Sequence, residues 1–555
     1  MPIRAWEIET VFSHPEYELV KAEIRDYLED GSSRGLYWCG KCDVPLLTPR
    51  CYRCHSSGRR FIADAKPVFV EERHLLEEIC GRELPDNLYT SRSRLYYSGR
   101  LLLSLTTSGG RIIVTRDHTD SLLKESAIHS NGSVSLESVI AANRPVLRFL
   151  EQQAIDSIVE VTRKYPGRKP VVSFSGGKDS AVVAHLVARA VGATEPVSLF
   201  FADTTLEHPE TNSYVTQFAE YYGLPITIKQ ASSDFFQMCE QLEPPSRIMR
   251  WCCTVFKANP LNTFLHEQEG VLSFDGIRRV ESNRRRNYER ISGNKKTLSQ
   301  LVFRPILDWS SLAVWIYIFA YGIPYNPAYD KGYARVGCII CPFSTDFNDF
   351  LTRKHYPEKV QMWESTLIRY FRTKYADKFD PELAEDWLRQ GLWKKRKPHH
   401  ENHQAAIRAA TCPSLGEYAY HLDFPLDIEF LEYLKPLGRL TFINETGFFR
   451  IANEQGFCIS GMLGDGLLTV SLGDSDTKRN IHILERQVKK AMNCVKCGAC
   501  VGMCPTRAIR VEPGVSFALD ERQCTNCLSC VRSDFTHYGC VALSYKRERN
   551  WIEEA

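Results

Sequence analysis

Clustered cysteines are the feature that most limits what this chain can fold into. The chain has 555 residues and 20 cysteines, and sixteen of these fall into four groups of closely spaced or adjacent pairs. Two cysteines separated by two residues are too close for an ordinary disulfide staple, but their thiolates readily converge on one metal. The sequence therefore predicts several metal centres. The cysteines outside these groups, which we interpret as small buried hydrophobic residues, are Cys80, Cys239, Cys412 and Cys458.

The remaining composition is that of a globular protein. Hydrophobic residues make up 43% and charged residues 25%, with a formal net charge of +3, so we expect anion-binding surfaces to be local. The length predicts roughly three to five domains. No apolar run reaches the roughly 18–20 residues that cross a bilayer, and the N-terminal sequence lacks the apolar core of a signal peptide. These features predict a cytoplasmic protein with no membrane partner.

The first cysteine group predicts a zinc ribbon over residues 35–60. Two C-x-x-C knuckles supply four thiolates, which complete a closed tetrahedral site suited to structural zinc. A mononuclear iron site of the rubredoxin kind is the alternative. The ligands in either case are Cys39, Cys42, Cys51 and Cys54.

A small basic β-rich domain is predicted next, over residues 61–125. Apolar and β-branched runs on either side of the turn Ser108-Gly109-Gly110 predict a β-hairpin. Its basic character is compatible with RNA binding, and a solvated basic sheet face is the alternative. The arginines concerned are Arg92, Arg94, Arg100, Arg111 and Arg116.

A phosphate-binding loop opens the central domain, which we place at residues 150–350. A buried strand runs into SGGKDS at residues 175–180, and a helical segment follows directly. Glycines allow the backbone to approach a phosphate, and the amides of the helix N-terminus point at its oxygens. The loop is not a Walker loop, because G-x-x-x-x-G-K-S/T is absent. SGGKDS instead resembles the PP-loop of the adenine nucleotide alpha-hydrolase-like enzymes.

Further buried strands begin at Val197, Pro225 and Val271 and alternate with helical stretches. This alternation predicts an α/β fold with a Rossmann-like, doubly wound parallel sheet and ligands at the carboxyl ends of the strands. Residues 351–480 are predicted to form a helical and then β-rich connecting region.

From about residue 165 to 345 the chain closely resembles the phosphoadenylyl-sulfate (PAPS) and adenylyl-sulfate (APS) reductase family. Six segments carry the resemblance. They are SGGKDS at 175–180, DTTLEHPET at 203–211, WCC at 251–253, GIRRVES at 276–282, PILDW at 305–309 and NPAYDKGYARVGCIICP at 326–342.

The resemblance implies roles for individual residues. The catalytic residues that it implies are Lys178, Asp179, Arg278 and Arg279. The nucleotide-binding residues that it implies are Ser175, Gly176, Gly177, Lys178, Asp179, Ser180, Asp203 and Ser282. The arginines would face a sulfate or phosphate, since guanidinium forks suit tetrahedral oxyanions. For the run of residues 284–286, a solvated charge cluster is an equal alternative.

The tandem cysteines and a distant C-x-x-C look like the iron–sulfur signature of the APS reductases. This resemblance implies a 4Fe–4S cluster, and a four-thiolate zinc site is the alternative. The ligands would be Cys252, Cys253, Cys338 and Cys341. The chain departs from the family in one respect, because it lacks the E-C-G-x-H motif that carries the nucleophilic cysteine. We therefore expect electrons to arrive through clusters rather than dithiols.

A ferredoxin-type domain is predicted at residues 487–548. The run CVKCGACVGMCP at 494–505 matches the bacterial ferredoxin pattern, and a second group, CTNCLSC, follows at 524–530. Because the fourth cysteine of such a run crosses to the other cluster, two 4Fe–4S clusters are predicted. One cluster with a spare triad is the alternative. The two sets are Cys494, Cys497, Cys500 and Cys540, and Cys504, Cys524, Cys527 and Cys530.

These features together predict an iron–sulfur PAPS/APS reductase-like enzyme of sulfur metabolism. Its expected partners are an adenine nucleotide (APS, PAPS or ATP) and an external electron donor. The alternative is an ATP-dependent tRNA or DNA thiolation enzyme, which the zinc ribbon and the basic hairpin favour. A non-catalytic nucleotide-sensing adaptor is a third interpretation, against which the intact PP-loop argues.

Overall fold

The computed structural model describes residues 4–29, 35–108, 110–129, 135–268, 270–294, 297–375, 380–395, 408–412, 417–422, 425–442, 446–454, 456–471 and 477–532. None of the helices in these ranges is long and apolar enough to cross a membrane.

The N-terminal part consists of one helix and a small antiparallel sheet. Helix α1 (Tyr17–Glu29) precedes β1 (Tyr37–Cys39), β2 (Val44–Leu46) and β3 (Arg59–Arg60), which pair in the order β2-β1-β3. The cysteine knuckles lie at the ends of these strands, so the predicted zinc-ribbon architecture is confirmed.

A five-stranded antiparallel meander follows, with its strands in sequential order. The predicted hairpin is its last strand pair, in which Ser108 aligns with Arg111. Leu102, Leu103 and Leu105 form part of its core. The strands are β4 (Lys66–Pro67), β5 (Tyr89–Ser91), β6 (Arg94–Tyr97), β7 (Arg100–Ser108) and β8 (Arg111–Asp117), and the helices are α2 (Val70–Cys80) and α3 (Thr119–His129).

The central domain has a six-stranded sheet in the order β11-β10-β9-β12-β14-β13, which confirms the predicted α/β class. Strand β9 is flanked by β10 on one side and β12 on the other, both parallel to it. The direction of winding therefore reverses at β9, where doubly wound sheets bind ligands. The strands are β9 (Lys169–Ser173), β10 (Ser198–Asp203), β11 (Ile226–Gln230), β12 (Val271–Phe274), β13 (Ile291–Asn294) and β14 (Thr297–Phe303).

The edge strand β13 departs from the prediction of a wholly parallel sheet, because it pairs with β14 in antiparallel fashion. Only residues 295–296 connect the two strands. A parallel pair needs a crossover of a dozen or more residues, so this short connection permits only a hairpin.

Helices cover the sheet, and the buried helix α5 lies between the sheet and α4. Because α5 is apolar on nearly every side, it can exist only as an enclosed helix. The helices of this domain are α4 (Leu136–Lys164), α5 (Lys178–Val191), α6 (Pro209–Tyr222), α7 (Phe235–Leu242), α8 (Trp251–Cys253), α9 (Asn259–Glu267), α10 (Asn283–Arg286) and α11 (Ser311–Tyr321).

Five described helices and a second six-stranded sheet, in the order β15-β16-β20-β19-β18-β17, link this domain to the cysteine-rich end. The helices are α12 (Asp346–His355), α13 (Pro357–Lys374), α14 (Ala384–Arg389), α15 (Ile428–Leu434) and α16 (Thr477–Asn493). The strands are β15 (Arg408–Cys412), β16 (Glu417–His421), β17 (Arg439–Phe442), β18 (Phe448–Ala452), β19 (Cys458–Met462) and β20 (Leu467–Ser471).

The C-terminal module, as we call described residues 494–532, contains a two-stranded sheet and a short helix. Its strands β21 (Ile509–Glu512) and β22 (Ser516–Leu519) are antiparallel, and α17 (Ser529–Arg532) follows. Two strands with little core of their own are marginal in isolation. The module packs against α15, where Tyr433 stacks on Phe517 with ring centroids 4.2 Å apart.

Candidate active site and metal-ligating cysteines

The PP-loop connects the carboxyl end of β9 to the first residue of α5. Gly176 has φ +70°, and a Cβ there would lie 2.8 Å from Cγ2 of Thr211, so only glycine fits. The Ser180 hydroxyl donates to the Gly177 carbonyl at 2.8 Å and accepts from the Ser175 amide at 3.2 Å. The turn is thus held internally at the amino end of α5, where amides favour an anion.

Three charged side chains meet beside the loop. Asp179 accepts hydrogen bonds from Lys178 Nζ and from Arg278 Nε, each at 2.7 Å. Lys178 and Arg278 are only 1% and 4% exposed. Burial lowers the pKa of Lys178, although the Asp179 carboxylate opposes the shift. Burial also acts to raise the pKa of Asp179, but the two cations hold that pKa below its usual range. The structure therefore brings three of the four predicted catalytic residues together.

Gly276 brings the segment that carries Arg278 against the loop. A Cβ on Gly276 would lie 2.8 Å from the carbonyl carbon of Asp179 and 2.9 Å from the Ser180 amide nitrogen. Any larger residue would push the two backbones apart, so this glycine secures the approach of Arg278.

The other predicted site residues make contacts of their own. Asp203, at the end of β10, accepts from Gln230 Nε2 at 2.6 Å and from the Thr205 amide at 2.8 Å. Arg279 pairs with Asp308, and Ser282 accepts the Arg285 amide at 3.3 Å as the cap of α10. Among the described residues no side-chain hydrogen bond or ion pair joins Arg279 or Ser282 to the Lys178–Asp179–Arg278 group.

Two residues that sequence reasoning did not single out support the loop. The Tyr329 hydroxyl accepts the Lys178 amide at 2.9 Å. Asn326, which is fully buried, donates to the Gly176 carbonyl at 3.2 Å and to Thr211 Oγ1 at 3.0 Å. Both lie in the NPAY segment, so the signal that could have identified them was the resemblance itself.

The four cysteines predicted for the central domain come from two segments, and one member of each, Cys252 and Cys338, packs against the same hydrophobic core. Cys252 and Cys253 end α8, and a π-helical turn joins them to α9. A hydrogen bond from Cys253, burial, and the charges of the other three thiols raise the pKa of Cys252. Cations stand beside them, since Arg250 Nη2 lies 3.7 Å from Cys253 Sγ. Four soft ligands with nearby cations fit an iron–sulfur cluster, which carries negative charge.

Cys338 connects this cysteine set to the segment that follows β10. It forms an isolated antiparallel bridge with Glu207, and its sulfur lies 3.4 Å from Thr204 Oγ1. The Ile339 amide also donates to the Leu206 carbonyl at 2.7 Å. Residues 204–207 thus join the carboxyl edge of the sheet to the predicted cluster.

The cysteines of the ribbon fit a single zinc ion. Their sulfurs all lie within 4.8 Å of one another, with Cys39 to Cys54 at 3.5 Å and Cys42 to Cys51 at 3.8 Å. Zn–S bonds of about 2.3 Å in a tetrahedron place sulfurs about 3.8 Å apart. The set is therefore compatible with zinc in a closed site.

The cysteines of the C-terminal module range from buried to exposed. Cys500, Cys504 and Cys530 are buried, whereas Cys527 is exposed. Burial raises the pKa of Cys530, and the charges of Cys504, Cys524 and Cys527 raise it further. Four cysteine thiolates are the ligand set of a 4Fe–4S cluster, which remains the prediction for these residues. The first set includes Cys540, which lies outside the described residues.

The C-terminal module docks on α9, the helix that continues from Cys252 and Cys253. The Gly502 amide donates to Asn259 Oδ1 at 3.2 Å, and His266 Nε2 lies 2.9 Å from the Gly502 carbonyl. One hydrophobic cluster includes Trp251 and Ala499, with Cys252, Cys338 and Cys497 packed against it. Both predicted cluster regions therefore border the same core.

Comparison with known proteins gives two family matches. Residues 169–344 match the phosphoadenosine phosphosulfate reductase domain, and residues 489–510 match the 4Fe-4S binding domain. The first match contains the PP-loop and Arg278, and the second contains the cysteine run that begins at Cys494.

Relatives of the chain include an adenosine 5'-phosphosulfate reductase of Geobacillus kaustophilus, which is 32% identical over 201 residues, 35% of this chain and 82% of that enzyme. An uncharacterized protein of Methanocaldococcus jannaschii is 35% identical over 274 residues, 49% of this chain and 55% of that protein. A second from the same organism is 31% identical over 263 residues, 47% of this chain and 60% of that protein. The chain thus spans less than two thirds of the length of these last two relatives.

Proposed function

The chain belongs to the phosphoadenosine phosphosulfate reductase family, and from this premise we propose that it reduces an adenylyl sulfate to sulfite with electrons from its own C-terminal module. The observation that carries the proposal is the docking of this module on α9 through Gly502, next to the Cys252–Cys253 turn. Because the module that is predicted to carry electrons is part of the same chain and already lies against α9, electrons can reach the site without a separate protein that binds and leaves.

In this proposal the PP-loop binds the phosphate of the nucleotide. The amides at the start of α5 and the Lys178 ammonium supply donors, and Arg278 supplies a guanidinium for the sulfate. Two electrons enter and the bond between sulfur and the phosphate oxygen breaks. That oxygen stays on the nucleotide, which leaves as AMP when the substrate is APS, and the sulfur leaves as sulfite. When bound, the clusters supply electrons one at a time.

The absence of an E-C-G-x-H motif supports electron delivery by this route. Of the described cysteines outside the metal sets, Cys80 packs with the β4–β8 domain, and Cys239 is buried in the core beside α7. Cys458 lies in strand β19 and receives a hydrogen bond from Arg450. These three cysteines lie in a helix or strand outside the PP-loop, so their places in the fold do not favour cysteine-based transfer.

Sulfite release under reducing conditions tests the proposal. Protein purified without oxygen is expected to contain about twelve iron and one zinc per chain. With reduced viologen it should form equal amounts of sulfite and nucleotide, which is AMP from APS and adenosine 3',5'-bisphosphate from PAPS. Lys178→Met should lower the rate on the order of 100-fold, as loss of a site donor does. Lys229→Met is the matched control, because this lysine lies at the sheet edge and pairs with Glu267. No sulfite from either substrate would contradict the proposal.

The exposed face of the β4–β8 sheet favours a second candidate, ATP-dependent thiolation of tRNA or DNA. Arg94 and Arg116 both align with Ser104 across neighbouring strands, and neither forms an ion pair with another described residue. Unpaired arginines in a row are suited to a phosphate backbone. This candidate predicts ATP-dependent incorporation of sulfur into tRNA and salt-sensitive binding to it. Arg94→Gln/Arg116→Gln should weaken that binding while leaving sulfite formation unchanged.

A further inference from the structure

The zinc ribbon is connected by backbone pairing to a residue that reaches the PP-loop site. Strand β1, which ends in Cys39, pairs with β3, and the pairing continues past β3. The Phe61 amide donates to the Leu36 carbonyl at 2.8 Å, and the Leu36 amide donates to the Ile62 carbonyl at 2.7 Å. The ribbon therefore fixes the backbone to within two residues of Asp64.

Asp64 makes two kinds of contact with the central domain. Its carboxylate accepts the Ser311 amide, with Oδ1 and Oδ2 at 2.8 and 3.0 Å, and so caps the start of α11. Its Oδ2 also lies 3.8 Å from Arg278 Nη1. With 27% of the Asp64 side chain exposed, a change there is less disruptive than in the core.

Arg278 is held on two of its three nitrogens. Nε donates to Asp179, and Nη1 faces both Asp64 and the Trp309 carbonyl, the latter at 3.3 Å. Among the described residues Nη2 has no hydrogen-bond acceptor. A planar guanidinium fixed at Nε and Nη1 presents Nη2 in a set direction, which is the geometry that oxyanion binding needs.

Carboxylates surround the two buried cations of the site, Lys178 and Arg278. Asp179 and Asp64 pair with them, and Glu281, which pairs with Arg285, accepts the Arg278 amide at 3.2 Å. Removing one partner of a buried ion pair is strongly destabilising, because it leaves an uncompensated buried charge. The N-terminal part of the chain therefore contributes one of the carboxylates that surround Arg278.

We propose that Asp64 is a positioning residue of the nucleotide site, presented by the zinc ribbon to orient Arg278 toward the anionic part of the ligand. The proposal rests on the proposed function, since it takes the ligand to be an adenylyl sulfate. In this proposal the zinc ribbon stabilises its own fold and also holds a residue of the nucleotide site in place.

The test compares a charged ligand with an uncharged one on the full-length protein. Asp64→Asn keeps an acceptor for the Ser311 amide but removes the charge that faces Arg278. Isothermal titration with adenosine 5'-phosphosulfate should show binding about tenfold weaker than wild type, the scale of one misplaced charge-assisted hydrogen bond. Binding of adenosine, which has no anionic group, should be unchanged.

Asp43→Asn is the matched control, because Asp43 lies in the ribbon but binds Trp38 Nε1 and the Ser98 hydroxyl instead of the site. It should leave both affinities at the wild-type value. If Asp64→Asn does not fold, Asp64→Glu replaces it as the test, because the longer side chain keeps the charge but shifts the carboxylate from its place 3.8 Å from Arg278 Nη1. It should show the same selective loss.

The outcomes separate the two proposals. If wild-type protein binds no adenylyl sulfate, the proposed function fails. If it binds, and Asp64→Asn binds equally well or more tightly, the role of Asp64 is overturned while the proposed function stands. Equal weakening for adenosine 5'-phosphosulfate and adenosine would also overturn it, since it would indicate a general structural defect.

Discussion

The zinc ribbon and the C-terminal module use the same ligand in two different settings. In the ribbon all four sulfurs lie within 4.8 Å of one another, and Cys39 and Cys51 have no exposed surface. In the module the sulfurs extend from buried Cys500 to exposed Cys527. A closed set suits a structural ion, whereas a set that reaches from core to surface suits the passage of electrons.

The two regions also attach to the central domain in different places. The ribbon binds α4, where the Tyr52 amide donates to the Ala142 carbonyl at 3.0 Å and the Leu47 amide to Asn143 Oδ1 at 2.8 Å. The module binds α9 through Gly502. Helix α4 backs the PP-loop helix, while α9 leads from Cys252 and Cys253. Both regions use cysteine ligands, so the ligands do not distinguish a structural site from an electron-transfer site. The comparison indicates that the place of the cysteines in the fold does.

The largest effect is expected for Cys42→Ala. Structural zinc contributes on the order of 10 kcal/mol to the folding of its module, so the ribbon should unfold locally. Zinc content should fall to zero while iron content stays at the wild-type value. Hydrogen exchange of the β1–β3 amides should become fast. Cys80→Ala, which changes a cysteine outside the metal sets, is the control. If the β1–β3 amides of Cys42→Ala still exchange slowly without zinc, the ribbon does not depend on a structural ion and the contrast with the C-terminal module fails.

For the C-terminal module, Cys527→Ala should act on turnover and not on ligand binding. Loss of a cluster ligand should slow viologen-driven sulfite formation on the order of 100-fold. Adenosine 5'-phosphosulfate should bind with wild-type affinity, because this cysteine lies on the exposed side of the module. Cys458→Ala is the comparison variant. If Cys527→Ala forms sulfite at the wild-type rate, electrons do not enter through the cluster that this cysteine is predicted to bind.

One methyl group on Gly502 tests the attachment of the C-terminal module, and one on Gly40 in the ribbon serves as its control. A Cβ on Gly502 would lie 2.6 Å from Asn259 Oδ1 and 2.9 Å from Asn262 Cβ, whereas a Cβ on Gly40 in the ribbon meets nothing within 4 Å. Gly502→Ala should destabilise docking by about 1–3 kcal/mol, the usual cost of overpacking. Faster hydrogen exchange in α9 would report it, and Gly40→Ala should change nothing. If Gly502→Ala leaves hydrogen exchange in α9 as unchanged as Gly40→Ala does, the module is not tightly docked on α9.

Acid should weaken the domain that lies between the two regions. Burial lowers the pKa of His185 in α5 to about 3, so the folded state stays neutral where the unfolded state takes up a proton. The stabilisation is complete above pH 6.5 and is lost as the pH falls toward 3. At pH 5.5 the loss is about 1 kcal/mol. Urea unfolding at pH 7.5 and 5.5 should show a smaller pH effect in His185→Leu, whereas exposed His118→Gln should behave as wild type.

Local sequence was sufficient to predict the parts whose residues lie close together in the chain. The ribbon cysteines, the PP-loop and the ferredoxin-type run each occupy a short segment, so spacing alone constrains their geometry. The buried strands of the α/β domain were predictable for the same reason, because apolar runs between turns report burial directly.

Contacts between distant segments could not be predicted in this way. Asp64 meets Arg278 only because the ribbon packs on the central domain, and no pattern around Asp64 signals that contact. Arg279 was predicted to face an anion, yet it pairs with Asp308, a neighbour supplied by another loop. The docking of Gly502 on α9 likewise depends on surface complementarity, which a ligand motif does not encode.

The core shared by both cluster regions has a consequence for biosynthesis. It draws on residues from Leu75 to Ala499, so a growing chain cannot close it until the last of these has left the ribosome. Until then Trp251 and Phe256 lack part of their cover, and such apolar surface invites chaperones or aggregation. Metal loading near Cys252 is therefore expected to be a late event in the maturation of the protein, set by the order in which its segments are translated.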